Sequence, residues 1–431
     1  MSYAKYERYK DSGVDWLGKI PSDWDLQPAF KYIKENKTKN TGLLENTVLS
    51  LSYGKIIIKP EEKLTGLVPE SFETYQIVEP NDIIIRCTDL QNDKVSLRTG
   101  LVENRGIITS AYLGLKVFQN YNSKFLHYYL HSLDITKAIY KFGTGLRQNL
   151  SFLDFKRLPL VDISLDLQQK IANFLDQKTA QIDQAIALKQ QQIEKLGEYK
   201  QIVIQNAVTK GLNPNAPMKD GGVAWIGDIP EHWEMVSIKR IAKISPKVDL
   251  SNYKLDEKVT FLPMEKVSSN GDIDCEILKP IRKVKQGFTA FKKNDVILAK
   301  ITPCFENGKG ALLDKLETEI GYGSTEFHVL RASKRIKAYY LYLITHSSNF
   351  LTLGEAMMTG SAGQKRVPTD FVANYQFPLP PMSEQQQIIE YVENLNRKIS
   401  DTIQSYQTQI DRLKEYKNIL INQAVTGKIK I

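Results

Sequence analysis

The sequence predicts an α+β protein, two pseudo-symmetric α/β domains joined by two long antiparallel coiled-coil-like helices. Three observations lead there. The chain is written twice, each copy ends in a proline-free stretch with heptad-spaced apolar residues, and the interior of each copy carries strand-like runs punctuated by Gly and Pro.

The duplication rests on two pairs of segments. DSGVDWLGKIPSDW, Asp11 to Trp24, matches DGGVAWIGDIPEHW, Asp220 to Trp233, at eight of 14 positions and an offset of 209. IEKLGEYKQIVIQNAVT, Ile193 to Thr209, matches IDRLKEYKNILINQAVT, Ile410 to Thr426, at ten of 17 positions and an offset of 217. Nearly equal offsets mean one unit of about half the chain, repeated. The expected division is an N-terminal repeated segment at 1–23, a first mixed domain at 24–160 and a central region with the first long helix and a linker at 161–232. A second mixed domain at 233–380 and a distal region with the second long helix at 381–431 complete it.

The helices are expected over about Asp166 to Val208 and Glu384 to Val425, without proline and with one internal glycine, Gly197. Leu175, Ile182, Leu196 and Val203 recur in the second helix as Val392, Ile399, Leu413 and Leu420, a seam with Gln-rich outer faces. Two matched stripes are most simply buried against each other. Because the first helix leads from the first mixed domain to the second, the second helix must run back along it, which separates the domains and returns Ile431 to Met1. In the mixed regions, Asp82-Ile83-Ile84-Ile85 and Asp295-Val296-Ile297-Leu298 read as strands, each preceded by Asn.

Composition bounds the function. With 42% hydrophobic and 25% charged residues over 431 positions, the chain has material for two or three domains. No window approaches the ~18 apolar residues of a membrane span, and the start lacks a signal peptide's apolar stretch, so a cytoplasmic protein is expected. Cys87, Cys275 and Cys304 are far apart and form no CxxC pair, which suggests neither a disulfide framework nor a zinc ribbon. A net charge of +9 favours a polyanionic partner.

Catalytic motifs are missing. There is no Gly-rich S-adenosylmethionine loop, no phosphate loop and no HExxH, and Pro380-Pro381 is followed by Met-Ser rather than an aromatic residue. His127 and His131 have the i, i+4 spacing of a metal pair, but with no Cys or third His nearby they read as ordinary histidines of a half-buried helix. Asp89, Asp93 and Glu103 do not form a nuclease pattern. No catalytic residue and no metal ligand is expected.

Basic residues supply the DNA-binding candidates. Lys31 and Lys34 open the first mixed region, Lys239, Arg240 and Lys243 open the second, and Arg282 and Lys283 lie near Phe288 and Phe291. Such residues neutralise phosphates, whereas base identity needs bidentate donors and acceptors; a lysine run also reads as a solvated face. The segments FGTGLRQNLSFLDF, Phe142 to Phe155, and MTGSAGQKRVPTDF, Met358 to Phe371, each give a Gly-rich turn, then Gln with Arg or Lys, then a helix start. Glycine lets backbone approach a phosphate and a helix start presents free N–H groups, although an ordinary capping turn has the same pattern. Arg147, Gln148, Gln364, Lys365 and Arg366 are therefore candidates, and Arg86 and Lys300 complete the set.

The combination resembles the DNA-specificity subunits of type I restriction-modification systems, the HsdS family. The resemblance is carried by the duplicated Gly13-Val14-Asp15-Trp16-Leu17-Gly18-Lys19-Ile20-Pro21 and Gly222-Val223-Ala224-Trp225-Ile226-Gly227-Asp228-Ile229-Pro230. To these add the Leu-x-Glu-Tyr-Lys helix ends at Leu196 and Leu413, the Ala-Val-Thr endings, Thr144-Gly145, Thr359-Gly360 and Gly323-Ser324-Thr325-Glu326-Phe327. It covers essentially the whole chain. It implies two α/β target-recognition domains reading a bipartite double-stranded DNA site, with the helix pair setting the gap between half-sites. It further implies two modification subunits that bring S-adenosylmethionine and methylate adenine, two restriction subunits that bring ATP and Mg, and no cofactor on this chain. The first domain departs from the pattern, with Ile108-Thr109-Ser110-Ala111-Tyr112 where the second has Gly-Ser-Thr-Glu-Phe. The competing readings are a two-headed coiled-coil adaptor and a bipartite DNA-binding regulator without a methyltransferase partner.

Overall fold

The computed structural model describes residues 3–60, 62, 71–88, 97–141, 150–361 and 363–431. They form two compact units. The first comprises Met1–Lys189 with Gln407–Ile431, and the second comprises Gln190–Tyr406.

The first unit opens with a hairpin of strands Tyr9–Asp11 and Lys19–Pro21. The Asp11 carboxylate accepts the Gly13 N–H at 2.9 Å, the kind of local side-chain bond that lets Asp and Gly start a tight turn. A four-stranded antiparallel sheet follows, ordered Ile33–Glu35, Leu113–Val117, Ile83–Ile85, Thr99–Leu101. The triple isoleucine is buried on both faces, which explains why it does not alternate with polar residues. Asn81, in the left-handed region at φ 76°, makes the turn into this strand, and the Asp82 carboxylate closes it by accepting the Glu79 N–H at 3.0 Å. Asp25–Pro28 pairs with Pro159–Asp162, and Gln76–Val78 pairs with Gly106–Ile108. The hairpin Leu49–Ser52 and Lys55–Ile58 meets the latter pair through a parallel bridge between Val48 and Ile107.

The second unit repeats the plan. Met218–Asp220 and Asp228–Pro230 form the hairpin, with the Asp220 carboxylate accepting the Gly222 N–H at 2.8 Å. Its sheet is ordered Ala242–Ile244, Phe327–Ala332, Val296–Ala299, Gly310–Leu312, the sequence of partners seen in the first unit. Glu234–Ser237 pairs with Gln376–Leu379. A second sheet is continuous here, ordered Leu278–Pro280, Lys258–Leu262, Ile320–Gly323, Thr289–Lys292, and its parallel pair stands where the described residues of the first unit show the Val48 bridge.

The long helices are Leu165–Lys210 and Met382–Val425. In the first unit Leu175, Ile182 and Leu420 are buried, with half-buried Leu413 packed against them, in a core that also holds Phe125 and Tyr129 of helix Ser123–Ile135. Asp183 with Lys417 (2.7 Å) and Lys189 with Gln409 (2.5 Å) fix an antiparallel register there. In the second unit Val392 joins a core with Ile204 and Val208, Ile399 is buried, and Leu196 and Val203 are half-buried. The stripes thus bury partly into the domains as well as against a helix.

Each helix ends on a glycine in the left-handed conformation, Gly211 at φ 74° and Gly427 at φ 71°. Gly211 lies against Trp233 and Gly427 against Pro21 and Trp24, so the tryptophan of each repeated hairpin closes over a helix end. Lys430 N donates to the Ala4 carbonyl at 2.8 Å, and the Lys428 ammonium to those of Leu17 and Lys19, bringing the chain's two ends together as the repeat requires.

The helix faces are not uniformly outward. Gln168 and Gln385, 217 residues apart, are buried. Gln168 accepts the Asn122 N–H and donates to the Ile163 carbonyl, both at 2.8 Å. Gln385 accepts the Lys337 N–H at 2.9 Å and donates to the Arg335 and Pro380 carbonyls at 3.1 and 3.0 Å. Both satisfy backbone groups where a domain helix starts beside a long one.

Candidate nucleic-acid interface

In the second unit the segment 363–367 returns to the end of strand Val296–Ala299. Val367 N donates to the Lys300 carbonyl at 2.9 Å and Thr302 N to that of Lys365 at 3.0 Å. Lys300 N in turn donates to the Glu326 carbonyl at 2.7 Å, and its ammonium to the Thr325 carbonyl at 2.9 Å. Four candidates are thereby brought together: Lys300, Gln364, Lys365 and Arg366.

The group includes a residue for which sequence reasoning assigned no role. Glu326 takes the Arg366 guanidinium with both oxygens, from Nε and one Nη, at 2.9 Å each. Arg366 holds the Glu326 carboxyl below the usual carboxylate range, with Lys300 adding to the effect. Burial lowers the Lys300 ammonium, the nearby Glu326 charge opposing and Arg366 reinforcing the shift. Beneath them His328, pushed to about 4 by burial, stays neutral and donates from Nε2 to the Val367 carbonyl at 3.1 Å. The glycine turn and the Glu-Phe motif were visible in the sequence, but the ion pair crosses 40 residues and no local pattern announces it.

The other candidates of this unit lie elsewhere on it. Lys239 and Arg240 are exposed on the short helix Ile238–Ile241, and Lys239 reaches Asn374 at 2.7 Å. Lys243 is exposed on its strand opposite Arg331, whose guanidinium is taken by buried Asp295 at 2.7 Å through two bonds. Arg282 and Lys283 are exposed on the short helix Ile281–Val284, Arg282 pairing with Asp256 at 2.5 Å. Beside them Lys279 sits 3.5 Å from the Phe261 ring centre.

In the first unit Lys31 and Lys34 are exposed, Lys31 bonding Gln27 at 2.7 Å and Lys34 standing opposite Lys116. Like charges directly opposite repel, and Lys34 with Lys116 occupies the register that Lys243 with Arg331 occupies in the second unit. Arg86 leaves the strand Ile83–Ile85, its carbonyl accepting from Arg98 at 3.2 Å. Arg98, fully buried, also donates to the Thr88 carbonyl at 2.8 Å; nothing in its sequence context signals this burial. Arg147 and Gln148 lie outside the described residues.

His127 and His131 are buried with ring centres 6.0 Å apart, and burial lowers them to about 4 and about 3. Among the described residues no group of three or more His, Cys, Asp or Glu is placed to hold a metal ion. No helix among them is long and apolar enough to cross a membrane.

Residues 230–412 match the type I restriction modification DNA specificity domain. The chain is 46% identical over 164 residues to the EcoAI specificity subunit of Escherichia coli, covering 38% of this chain and 28% of that one. It is 34% identical over 252 residues to the EcoEI specificity subunit of the same organism, covering 57% and 40%. The match therefore spans less than half the length of either relative. A solved chain of the type I R-M system superposes with a TM-score of 0.67 at 12% identity, covering 94% of this chain and 98% of that one. Domain match and relatives agree: residues 230–412 carry a type I restriction modification DNA specificity domain, and the chain is similar to the specificity subunits of type I restriction enzymes, whose fold the solved chain shares.

Proposed function

We propose that this chain reads a bipartite double-stranded DNA target and docks the subunits that act on it. Residues 24–160 and 233–380 are the target-recognition domains, one per half-site. The observation that carries the reading is the duplication itself: two units with one strand order present different side chains at corresponding strand ends. Exposed Lys31, Lys34, Lys239, Arg240, Lys243, Arg282 and Lys283 supply phosphate contacts that fix register, and the group around Arg366 supplies base contacts. The chain catalyses nothing alone and binds no cofactor. Two modification subunits bring S-adenosylmethionine, two restriction subunits bring ATP and Mg, and the assembly works in the cytoplasm.

The test is an exchange. Replacing residues 24–158 with the matching region of another specificity subunit, in a host carrying the modification subunit, should change one half-site of the methylated sequence and leave the other untouched. A methylome in which both halves change, or methyl transfer by the purified chain alone, defeats the reading.

A further inference from the structure

We infer that Arg366 reads a guanine and that Glu326 is the positioning residue that aims it. The inference rests on the reading of the second unit as a DNA-recognition domain and names the base that it recognises.

A guanidinium carries five N–H donors in a fixed fork. In Arg366, Nε and one Nη each spend one on Glu326, and the other Nη spends one on the Gln364 carbonyl at 3.3 Å. Two donors remain, one on each terminal nitrogen. The major-groove edge of guanine presents two acceptors, O6 and N7, where adenine pairs an acceptor with a donor and cytosine presents a donor. Thymine offers a single acceptor, O4, beside its methyl, so among the four bases guanine is the one that takes both unspent donors of Arg366.

A phosphate also accepts two bonds, but the surroundings disfavour it. A cation already neutralised by a carboxylate at 2.9 Å gains little from counterion release, and the carboxylate repels a phosphate brought beside it. The pair is built for direction rather than charge. Glu326 is itself held: its side chain is 26% exposed against 46% for Arg366, and its backbone carbonyl is tied to Lys300 N. A fork anchored along one edge keeps few rotamers to lose on binding. In the first unit Ala111 stands where the motif places Glu326, so this device belongs to one half-site.

The test uses the full chain together with the modification subunit, selecting from duplexes randomised across the wild-type target at several salt concentrations. Arg366→Ala should erase a guanine preference of roughly 5- to 150-fold at one position of one half-site. The other half-site and the salt slope should stay as in wild type. Glu326→Ala should weaken the preference at that same position, a readout that general destabilisation of the unit would not confine to one base, and Glu326→Gln, which keeps an acceptor for the fork, should restore part of it. Uniform weakening by Arg366→Ala with a slope lowered by about one marks a phosphate contact and overturns the inference while leaving the proposed function intact. An unchanged motif overturns it equally. If the wild-type assembly selects no bipartite sequence, the proposed function fails first, and the inference with it.

Discussion

The two units tie the segment before their short helix to the end of a sheet strand by the same backbone bond, Leu150 N to the Cys87 carbonyl at 3.0 Å and Val367 N to the Lys300 carbonyl at 2.9 Å. They then use the position differently. Cys87 is a buried thiol, pushed by burial up to about 12, whereas Lys300 sends an ammonium out to the Thr325 carbonyl. The first unit puts its cation one strand over, where Arg98 is wholly buried before Thr99–Leu101; the second has half-buried Lys309 before Gly310–Leu312, bonding the Met264 carbonyl at 3.3 Å. Because the bond that fixes the loop is backbone to backbone, the side chain above it is free to vary without changing the fold.

The sharpest way to break this comparison is to remove the two cations. Arg98→Ala removes the donor to the part-buried Arg86 and Thr88 carbonyls and empties a large buried volume, at an expected cost of about 3–5 kcal/mol, against less than about 1 kcal/mol for Lys309→Ala. Urea unfolding of the full chain measures both, and equal costs would mean that the units are stabilised alike.

Acid should strike both units. His127, His328 and His346 are lowered to about 4 and His131 to about 3, all chiefly by burial. Their folded values lie below the unfolded one, so the unfolded chain takes up protons first as pH falls. The stabilisation is complete above about pH 6.5 and is lost on the way down to about pH 4, or about 3 for His131, roughly 1–2 kcal/mol per histidine by pH 5. Burial raises Asp82 and Asp134, which works in the opposite sense nearer pH 4. His127→Gln with His131→Gln should flatten the pH dependence for the first unit only, read by hydrogen exchange at pH 5 and pH 7. Flattening in the second unit as well would show that the two share one unfolding step.

The smallest effect compares the helix ends. An alanine Cβ at Gly427 would stand 2.5 Å from a Pro21 ring carbon and 3.0 Å from Trp24, while at Gly211 the nearest atom, on Trp233, is 3.1 Å away. Both positions add the left-handed penalty of about 1 kcal/mol. Gly427→Ala should therefore cost about 1 kcal/mol more than Gly211→Ala in thermal unfolding, and the reverse order would contradict the packing described.

The duplication, the long helices and the turn before Gln364, Lys365 and Arg366 were legible because each leaves a local mark: an offset, a heptad, a glycine turn before basic residues; that Lys300 joins those three was not, because the bonds that bring it there are long-range. What stayed hidden was set by distance or by burial. The bond from Glu326 to Arg366 spans strands and a loop, Arg98 lies in a stretch that reads as surface, and Gln168 and Gln385 pass for solvated helix glutamines although they recur at the repeat offset. Only the last had a signal available, a polar residue kept at both copies beside a helix start.

The bond from Lys430 to Ala4 carries a consequence for synthesis. The first unit needs residues 407–431, which leave the ribosome after the whole of the second unit, 190–406, has been made. At ~5–20 residues per second that interval lasts roughly 10–50 s. The part of the chain translated first is completed last, and until then its apolar residues Leu17, Ile171 and Leu175 lack the final helix turn that covers them. The second unit, continuous in sequence, has all of its residues in hand before the last helix is finished.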